Sequence, residues 1–196
     1  MKQRNIVFAT LIVLIALVAT YQYSLPPVYN GTQIEPPKQM PDFALPAVSG
    51  STHLSSFHGK VTVLFFGFTH CTDICPATLA KLNEALTKIG DHTSDVNVIF
   101  ISVDYKRDTP QTVAAYAAKF RPSFVGLTGS QAEIDTVTKQ YGIFYKLGEP
   151  DSTGNYEVEH TAAVMALDRQ GRLEMTWTPD QQPAEIAADL ENLVNK

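Results

Sequence analysis

The feature that most constrains the fold is a strand, a turn and a helix start that follow one another between residues 61 and 86. Residues 61–66 form a continuous run of mainly apolar and β-branched residues, which is typical of a strand buried on both faces. After Pro76, leucines recur at helical spacing, and proline is favoured in the first turn of a helix. The turn between the two segments holds Cys71 and Cys75, the only cysteines in the chain.

The cysteine pair indicates thiol chemistry or soft-metal binding. Both sulfurs are predicted at the N-terminal end of a helix, where the helix dipole favours thiolate over thiol. Three residues separate them, which leaves both thiolates able to point at one metal ion. Two thiolates with one imidazole suit Cu(I). A simple stabilising disulfide is the alternative, although closing so short a loop gains little entropy.

A third ligand would come from one of five histidines. His70 adjoins Cys71, and adjacent residues seldom converge on one ion, so we interpret His70 as a polar surface neighbour. Three others lie in polar, loop-like segments: His53, His58 and His92. His160 lies where a loop enters a strand. From its position in the sequence, His160 is equally well a ligand or an ordinary hydrogen-bonded histidine.

Strands and helices alternate through the rest of the chain. Helices are predicted at 76–89, 110–120 and 130–141, strands at 96–103 and 124–127, and a short hairpin near 43–52. Segments 156–167 and 173–177 then bracket a turn as an antiparallel hairpin, and a helix follows at 183–193. This order predicts an α/β, thioredoxin-like fold over residues 42–196, with a central mixed sheet flanked by helices.

The N-terminus predicts a membrane anchor. Lys2 and Arg4 precede an uncharged run that, counted through Tyr23, is long enough for one transmembrane helix. A clean cleavage site is lacking, so an uncleaved anchor at 1–23 is favoured over a cleaved signal peptide. The positive-inside tendency then predicts single-pass attachment to the cytoplasmic (inner) membrane, with the domain facing the periplasm or the extracellular side. Residues 24–41 carry five prolines and are predicted to be an extended linker.

Composition excludes several classes. The net charge of -5 gives no electrostatic footprint for nucleic acid. Two cysteines are too few for a disulfide scaffold and lack the two separated pairs of a zinc ribbon. In the oxidising compartment predicted for the domain, an unguarded cysteine pair tends to close into a disulfide.

Four motifs occur in an order that resembles a known family. They are Gly-Phe-Thr-His-Cys-Thr-Asp-Ile-Cys-Pro at 67–76, Ile-Ser-Val-Asp-Tyr-Lys-Arg-Asp-Thr-Pro at 101–110, Gly-Leu-Thr-Gly at 126–129 and Val-Glu-His-Thr at 158–161. The chain resembles the Sco/SenC family of membrane-anchored copper proteins, which assist assembly of the copper centre of respiratory cytochrome oxidases. By this resemblance, the copper ligands are Cys71, Cys75 and His160.

The resemblance implies a metallochaperone rather than a turnover enzyme. The reduced Cys71–Cys75 pair and His160 would hold Cu(I) and pass it to the copper-bearing subunit of an oxidase, and binding of Cu(II) stays open. Another copper chaperone and a thioredoxin-like reductant are further candidate partners. The alternative is a membrane-anchored thiol–disulfide oxidoreductase that uses the same cysteines as a redox disulfide to reduce the target copper site. A peroxiredoxin-like peroxidase is a less favoured hypothesis, based on Thr72 and Cys75, which have the spacing of a Thr-x-x-Cys active site.

Acidic residues near the motifs are candidates for support of the ligands. Asp73 stands at the helix start, where the simplest role is to cap exposed N–H groups or to oppose the helix dipole. Asp104 follows a buried strand at the same sheet edge as the cysteines, and Glu159 precedes His160 where the family usually has aspartate. Residues 108–111 are typical of a helix N-terminus, with capping side chains followed by a proline. Thr72 stands where the family usually has proline, which bears on the rigidity of the turn.

Overall fold

The computed structural model describes residues 13–14 and 27–196. The strands are, in chain order, β1 (Thr32–Gln39), β2 (Ala44–Ala47), β3 (Gly50–His53), β4 (Val61–Gly67), β5 (Val96–Ser102), β6 (Val125–Leu127), β7 (Tyr145–Leu147), β8 (Val158–His160), β9 (Val164–Leu167) and β10 (Arg172–Trp177). The helices are α1 (Ile74–Lys88), α2 (Pro110–Phe120), α3 (Gln131–Tyr141) and α4 (Pro183–Val194).

Within the described residues, six strands form one sheet in the order β1-β10-β9-β4-β5-β6. β4, β5 and β6 run parallel, whereas β9, β10 and β1 join in antiparallel pairs. All seven residues of β4 are buried, which agrees with its unbroken apolar sequence. The predicted α/β fold with a mixed central sheet flanked by helices is therefore confirmed.

Local signals set the helix boundaries. Thr109 caps α2 by accepting a hydrogen bond from the Thr112 backbone N–H, and Pro110 occupies the first turn. Ser130 and Glu133 form a reciprocal capping box at the start of α3. α3 ends at Gly142, whose φ of 69° lies in the left-handed region that glycine adopts without strain.

The predicted continuous strand over 156–167 is wrong. β8 pairs with β7 in a separate small hairpin, and β9 pairs with β10 and β4 in the central sheet. Residues 161–163 carry the chain from one sheet to the other. The small hairpin continues past the strand, because the Thr161 backbone N–H donates to the Phe144 carbonyl at 2.9 Å.

The predicted linker is corrected over residues 32–39. β1 pairs with β10, so the central sheet begins before the predicted domain boundary at residue 42. Pro36 and Pro37 lie where the register of this pair shifts, and β1 is an edge strand, a position in which proline is tolerated. Asp189 of α4 holds the chain just before β1 by accepting hydrogen bonds from the backbone N–H groups of Asn30 and Gly31.

The predicted membrane anchor at 1–23 falls almost entirely outside the described residues. Among the residues that are described, none of the helices is long and apolar enough to cross a membrane. The anchor and the outward-facing location therefore stay predictions.

Candidate metal centre

The two cysteines lie at the carboxyl edge of the parallel strands, where β4 ends and α1 begins. Both are free thiols, Cys75 buried in the first turn of α1 and Cys71 partly exposed in the preceding loop. The Cys75 backbone N–H donates to Cys71 Sγ at 3.3 Å. The sulfur of Cys71 thus caps an unpaired amide at the positive end of the helix.

The thiolate prediction is wrong for Cys75 in the metal-free protein. Burial raises the pKa of the Cys75 thiol far above its ordinary value, and a backbone hydrogen bond from Phe68 offsets only part of that increase. The physical reason is desolvation, since a thiolate at this position would lose its water on all sides. Cys75 is therefore a neutral thiol until a cation or a reaction removes its proton.

His160 comes to the cysteines from the far end of the chain. Its Nε2 lies 3.8 Å from Cys75 Sγ, and its Nδ1 lies 3.0 Å from the carbonyl oxygen of Thr161. Because only a protonated Nδ1 can donate to that carbonyl, the hydrogen bond assigns the proton to Nδ1 and leaves a lone pair on Nε2. Burial lowers the pKa of His160, so the ring is neutral at pH 7.

Packing fixes the surroundings of this contact. The Phe68 ring meets the His160 ring edge to face, with centroids 5.8 Å apart. A Cβ added at Gly67 would lie only 2.7 Å from Cys75 Sγ and from Phe100 Cε2, so glycine is required for the sulfur to sit against β4. An open cleft of about 500 Å³, lined in part by Cys71 and His160, connects the site to solvent.

The donor set suits a soft cation. The sulfur of Cys75 and the lone pair of His160 face each other, and the Cys71 sulfur lies beside the Cys75 amide. Two sulfurs and one imidazole are ligands that Cu(I) prefers, whereas hard cations such as Mg²⁺ select oxygen. The hydrogen bond from Nδ1 also orients the ring, as is usual for metal-binding histidines.

Asp73 does not cap the helix. It occupies the N-cap position of α1, but its side chain accepts no capping hydrogen bond, so the capping role is wrong, whereas interaction with the helix dipole stays a prediction. The exposed carboxylate instead lines the cleft beside Cys71. Glu159 lies on the same cleft and is also exposed, with Lys146 as its cross-strand neighbour.

Asp104 is buried and does not contact the cysteines. Its carboxylate accepts from Arg107 Nε at 2.5 Å and from the Tyr156 hydroxyl at 2.5 Å. Tyr156 lies in the loop that leads into β8 and hence to His160. The predicted supporting role of Asp104 is thus directed at the histidine loop.

Asp108 supports the cysteine loop, a role that the sequence did not predict. It is buried, and its carboxylate accepts from the Thr69 backbone N–H at 2.9 Å, the Thr69 hydroxyl at 2.5 Å and the Ser102 hydroxyl at 2.5 Å. These bonds tie the cysteine loop to the end of β5. The only signal in the sequence was that a second aspartate, besides Asp104, follows the buried strand. A role in starting the next helix explained this aspartate equally well.

The remaining histidines do not join the thiols. His70 Nδ1 lies 3.6 Å from Asp108, as expected for a polar neighbour, while His53 and His92 lie beside the carboxylates of Asp42 and Asp95. Nitrogen and oxygen atoms of His70, Asp104 and Asp108 lie within 4.8 Å of one another. Both carboxylates already accept the hydrogen bonds described above, so this group is explained as structural support.

The sequence of this chain is similar to those of known proteins. The model of the SCO1/SenC family matches residues 31–195. An SCO2-like protein of Rickettsia conorii is 35% identical over 135 residues, which cover 68% of this chain and 66% of the relative. The human mitochondrial SCO1 homolog is 35% identical over 134 residues, which cover 67% of this chain and 44% of the relative. The match therefore spans less than two thirds of the length of these relatives.

Solved structures share the fold. The solution structure of apo Sco1 from Thermus thermophilus is 40% identical, with a TM-score of 0.78, and the match covers 85% of this chain and 97% of that one. The structure of Bradyrhizobium japonicum ScoI with copper bound is 39% identical, with a TM-score of 0.72, covering 79% and 99%. Each match covers nearly the whole of the solved chain and a smaller share of this chain.

Proposed function

This chain belongs to the SCO1/SenC family, and on that premise we propose that it binds Cu(I) through Cys71, Cys75 and His160. The observation that carries the proposal is the 3.8 Å contact between Cys75 Sγ and an unprotonated His160 Nε2. The copper in the similar Bradyrhizobium japonicum ScoI supports the choice of metal. Cu(II) is a second oxidation state for the same ligands, and its affinity is to be measured separately.

Copper binding offsets the cost of burying the ligands. The Cys75 thiol resists ionisation because it is buried, so a bound cation supplies the charge that makes its thiolate stable. His160 needs no deprotonation, since its ring is already neutral with Nε2 free. Metal loading therefore releases protons from the thiols and none from the imidazole.

Delivery of the metal is the role that the site favours. Cys71 and His160 line an open cleft, so an incoming ligand from another protein can reach the copper and replace them in steps. The acceptor in this proposal is the copper-bearing subunit of a respiratory cytochrome oxidase. A second copper chaperone would load the site, and a thioredoxin-like reductant would keep the cysteines reduced.

Thiol–disulfide exchange is the second candidate function. Cys71 is partly exposed and Cys75 is fully buried, which is the arrangement of an attacking and a resolving cysteine. In this role the pair would become a disulfide while a disulfide of the target copper site is reduced to two thiols. His160 distinguishes the two functions, because exchange chemistry has no need of its lone pair.

The membrane proposal rests on residues 1–23 alone. An anchor there would place the domain on the outer face of the cytoplasmic membrane. β1 begins at Thr32, so the chain between anchor and sheet would be shorter than the predicted linker of 24–41. Fractionation of cells that carry a tagged chain would test this placement.

A Cu(I) titration of the reduced protein against a competing chelator tests the copper function. One tight equivalent is expected, and Cys71→Ala and His160→Ala should each weaken it by at least tenfold, about 1.4 kcal/mol. His92→Ala is the matched control, because His92 is partly exposed at the opposite end of β5 from the site. Weak binding by the wild type, or binding indifferent to His160, would favour thiol exchange instead.

A further inference from the structure

The turn between β5 and α2 contacts both loops that carry the proposed ligands. At one end of the turn, Asp108 accepts two hydrogen bonds from Thr69 in the cysteine loop. At the other end, Asp104 accepts the Tyr156 hydroxyl hydrogen bond from the loop before β8. The two loops are far apart in sequence, and this turn gives them a common attachment.

The attachment of Tyr156 has two parts. Its hydroxyl lies 2.5 Å from Asp104 Oδ1, and its ring lies under the Arg107 guanidinium, with Cζ 3.7 Å from the ring centroid. Arg107 Nε in turn donates to Asp104 Oδ2 at 2.5 Å. We call Asp104, Arg107 and Tyr156 the tyrosine latch.

The latch is built on a rigid base. Asp104 is fully buried, and only 16% of the Arg107 side chain is exposed. The backbone N–H groups of Arg107 and Asp108 both donate to the Asp104 carbonyl, at 3.2 and 2.9 Å. Charged hydrogen bonds to a buried carboxylate are stronger than those between groups at the surface, so the latch constrains the loop that it holds.

The histidine hairpin needs such a constraint. β8 pairs with β7 and, within the described residues, with no strand of the central sheet. The sheet that positions Cys75 through β4 and α1 therefore does not position His160 directly. Tyr156 enters the hairpin just before β8, close enough along the chain to transmit its position to His160.

We propose that Tyr156 is a positioning residue for His160, which it holds against Cys75 through the tyrosine latch. The hydrogen bond from the Tyr156 hydroxyl to Asp104 sets the distance between the loop before β8 and the turn between β5 and α2. The packing of the ring under Arg107 sets the orientation of that loop. The role in copper binding rests on the proposed function, whereas the effect on the hairpin does not.

The hairpin is tested first in the metal-free protein. Tyr156→Phe keeps the ring under Arg107 and removes the hydroxyl bond. Hydrogen exchange of the Thr161 amide, which donates to Phe144 across the hairpin, should accelerate about tenfold, and the ¹⁵N shifts of the His160 ring should change. Tyr141→Phe is the matched control, because it loses a similar bond to the Pro41 carbonyl at a different place. Equal exchange and unchanged His160 shifts in Tyr156→Phe would overturn the proposal.

Copper affinity then tests whether the latch acts through the histidine. Tyr156→Phe should weaken Cu(I) binding about tenfold in the wild-type background and not at all in His160→Ala. An equal loss in both backgrounds would contradict positioning of His160 and indicate a general structural effect. If the wild-type protein binds no Cu(I), the proposed function fails, and the exchange experiment still decides on the latch.

Discussion

Cys75 Sγ and His160 Nε2 lie 3.8 Å apart although the two residues are 85 positions apart in the chain. The cysteine is held by the start of α1 and the histidine by a small hairpin outside the central sheet. Their contact brings a neutral thiol and an imidazole lone pair together in a partly buried setting.

Gly67→Ala should damage the site by steric pressure. The new Cβ would lie 2.7 Å from Cys75 Sγ and from Phe100, so the sulfur must move. We expect the free energy of unfolding to fall by about 1–3 kcal/mol and Cu(I) affinity to fall at least tenfold. Gly126→Ala is the control, because its Cβ would meet the backbone of α2 instead. Chemical denaturation and copper competition should show a stability loss in both variants but an affinity loss only in Gly67→Ala.

His160 should make the stability of the metal-free protein fall in acid. Burial lowers its pKa in the folded state, whereas in the unfolded chain a histidine titrates at about pH 6.5. Below that pH the unfolded state binds the proton more readily, so stability falls from about pH 6.5 down to the folded-state pKa. His160→Gln should remove this part of the pH dependence in denaturation curves between pH 7.5 and 5. An unaltered slope in the variant would show that His160 takes up its proton equally in both states.

Alkylation should distinguish the two cysteines. Cys71 is partly exposed, while Cys75 is buried and burial raises the pKa of its thiol. Because the thiolate is the reactive form, iodoacetamide at pH 8 should modify Cys71 at least tenfold faster. Mass spectrometry of quenched samples measures both rates, with the urea-unfolded protein as the control in which they converge. Comparable rates in the folded protein would contradict the burial of Cys75.

Two tyrosine-to-phenylalanine substitutions should change stability in opposite directions. The Tyr116 hydroxyl is buried without a hydrogen-bond partner among the described residues, so Tyr116→Phe should raise the free energy of unfolding by about 1 kcal/mol. The Tyr141 hydroxyl donates to the Pro41 carbonyl at 2.8 Å, so Tyr141→Phe should lower it by about 1 kcal/mol. Urea denaturation of the two variants beside the wild type measures both. A loss in Tyr116→Phe would indicate a partner for its hydroxyl.

Local sequence signals determined most of the secondary structure. The unbroken apolar run predicted β4, and its burial on both faces needs no information beyond the run itself. The bounds of α2 were predicted as Pro110–Phe120, because the cap and the proline are neighbours in the chain. The placement of both cysteines after β4, where α1 begins, was predicted on the same grounds.

Only the tertiary structure decided the features that depend on distant partners. The proline-rich segment joins the sheet as β1 because it pairs with the edge of β10. Residues 156–167 form two separate strands because β8 pairs with β7 and not with the central sheet. Asp108 supports the cysteine loop because Thr69 and Ser102 donate to it there. Burial raises the pKa of the Cys75 thiol, although the thiol lies at the positive end of α1. The sequence alone thus identified thiol and imidazole groups whose chemistry suits a soft metal, since that is a matter of residue type. Their distances and protonation were left to folding, because pairing and desolvation arise from neighbours remote in the chain.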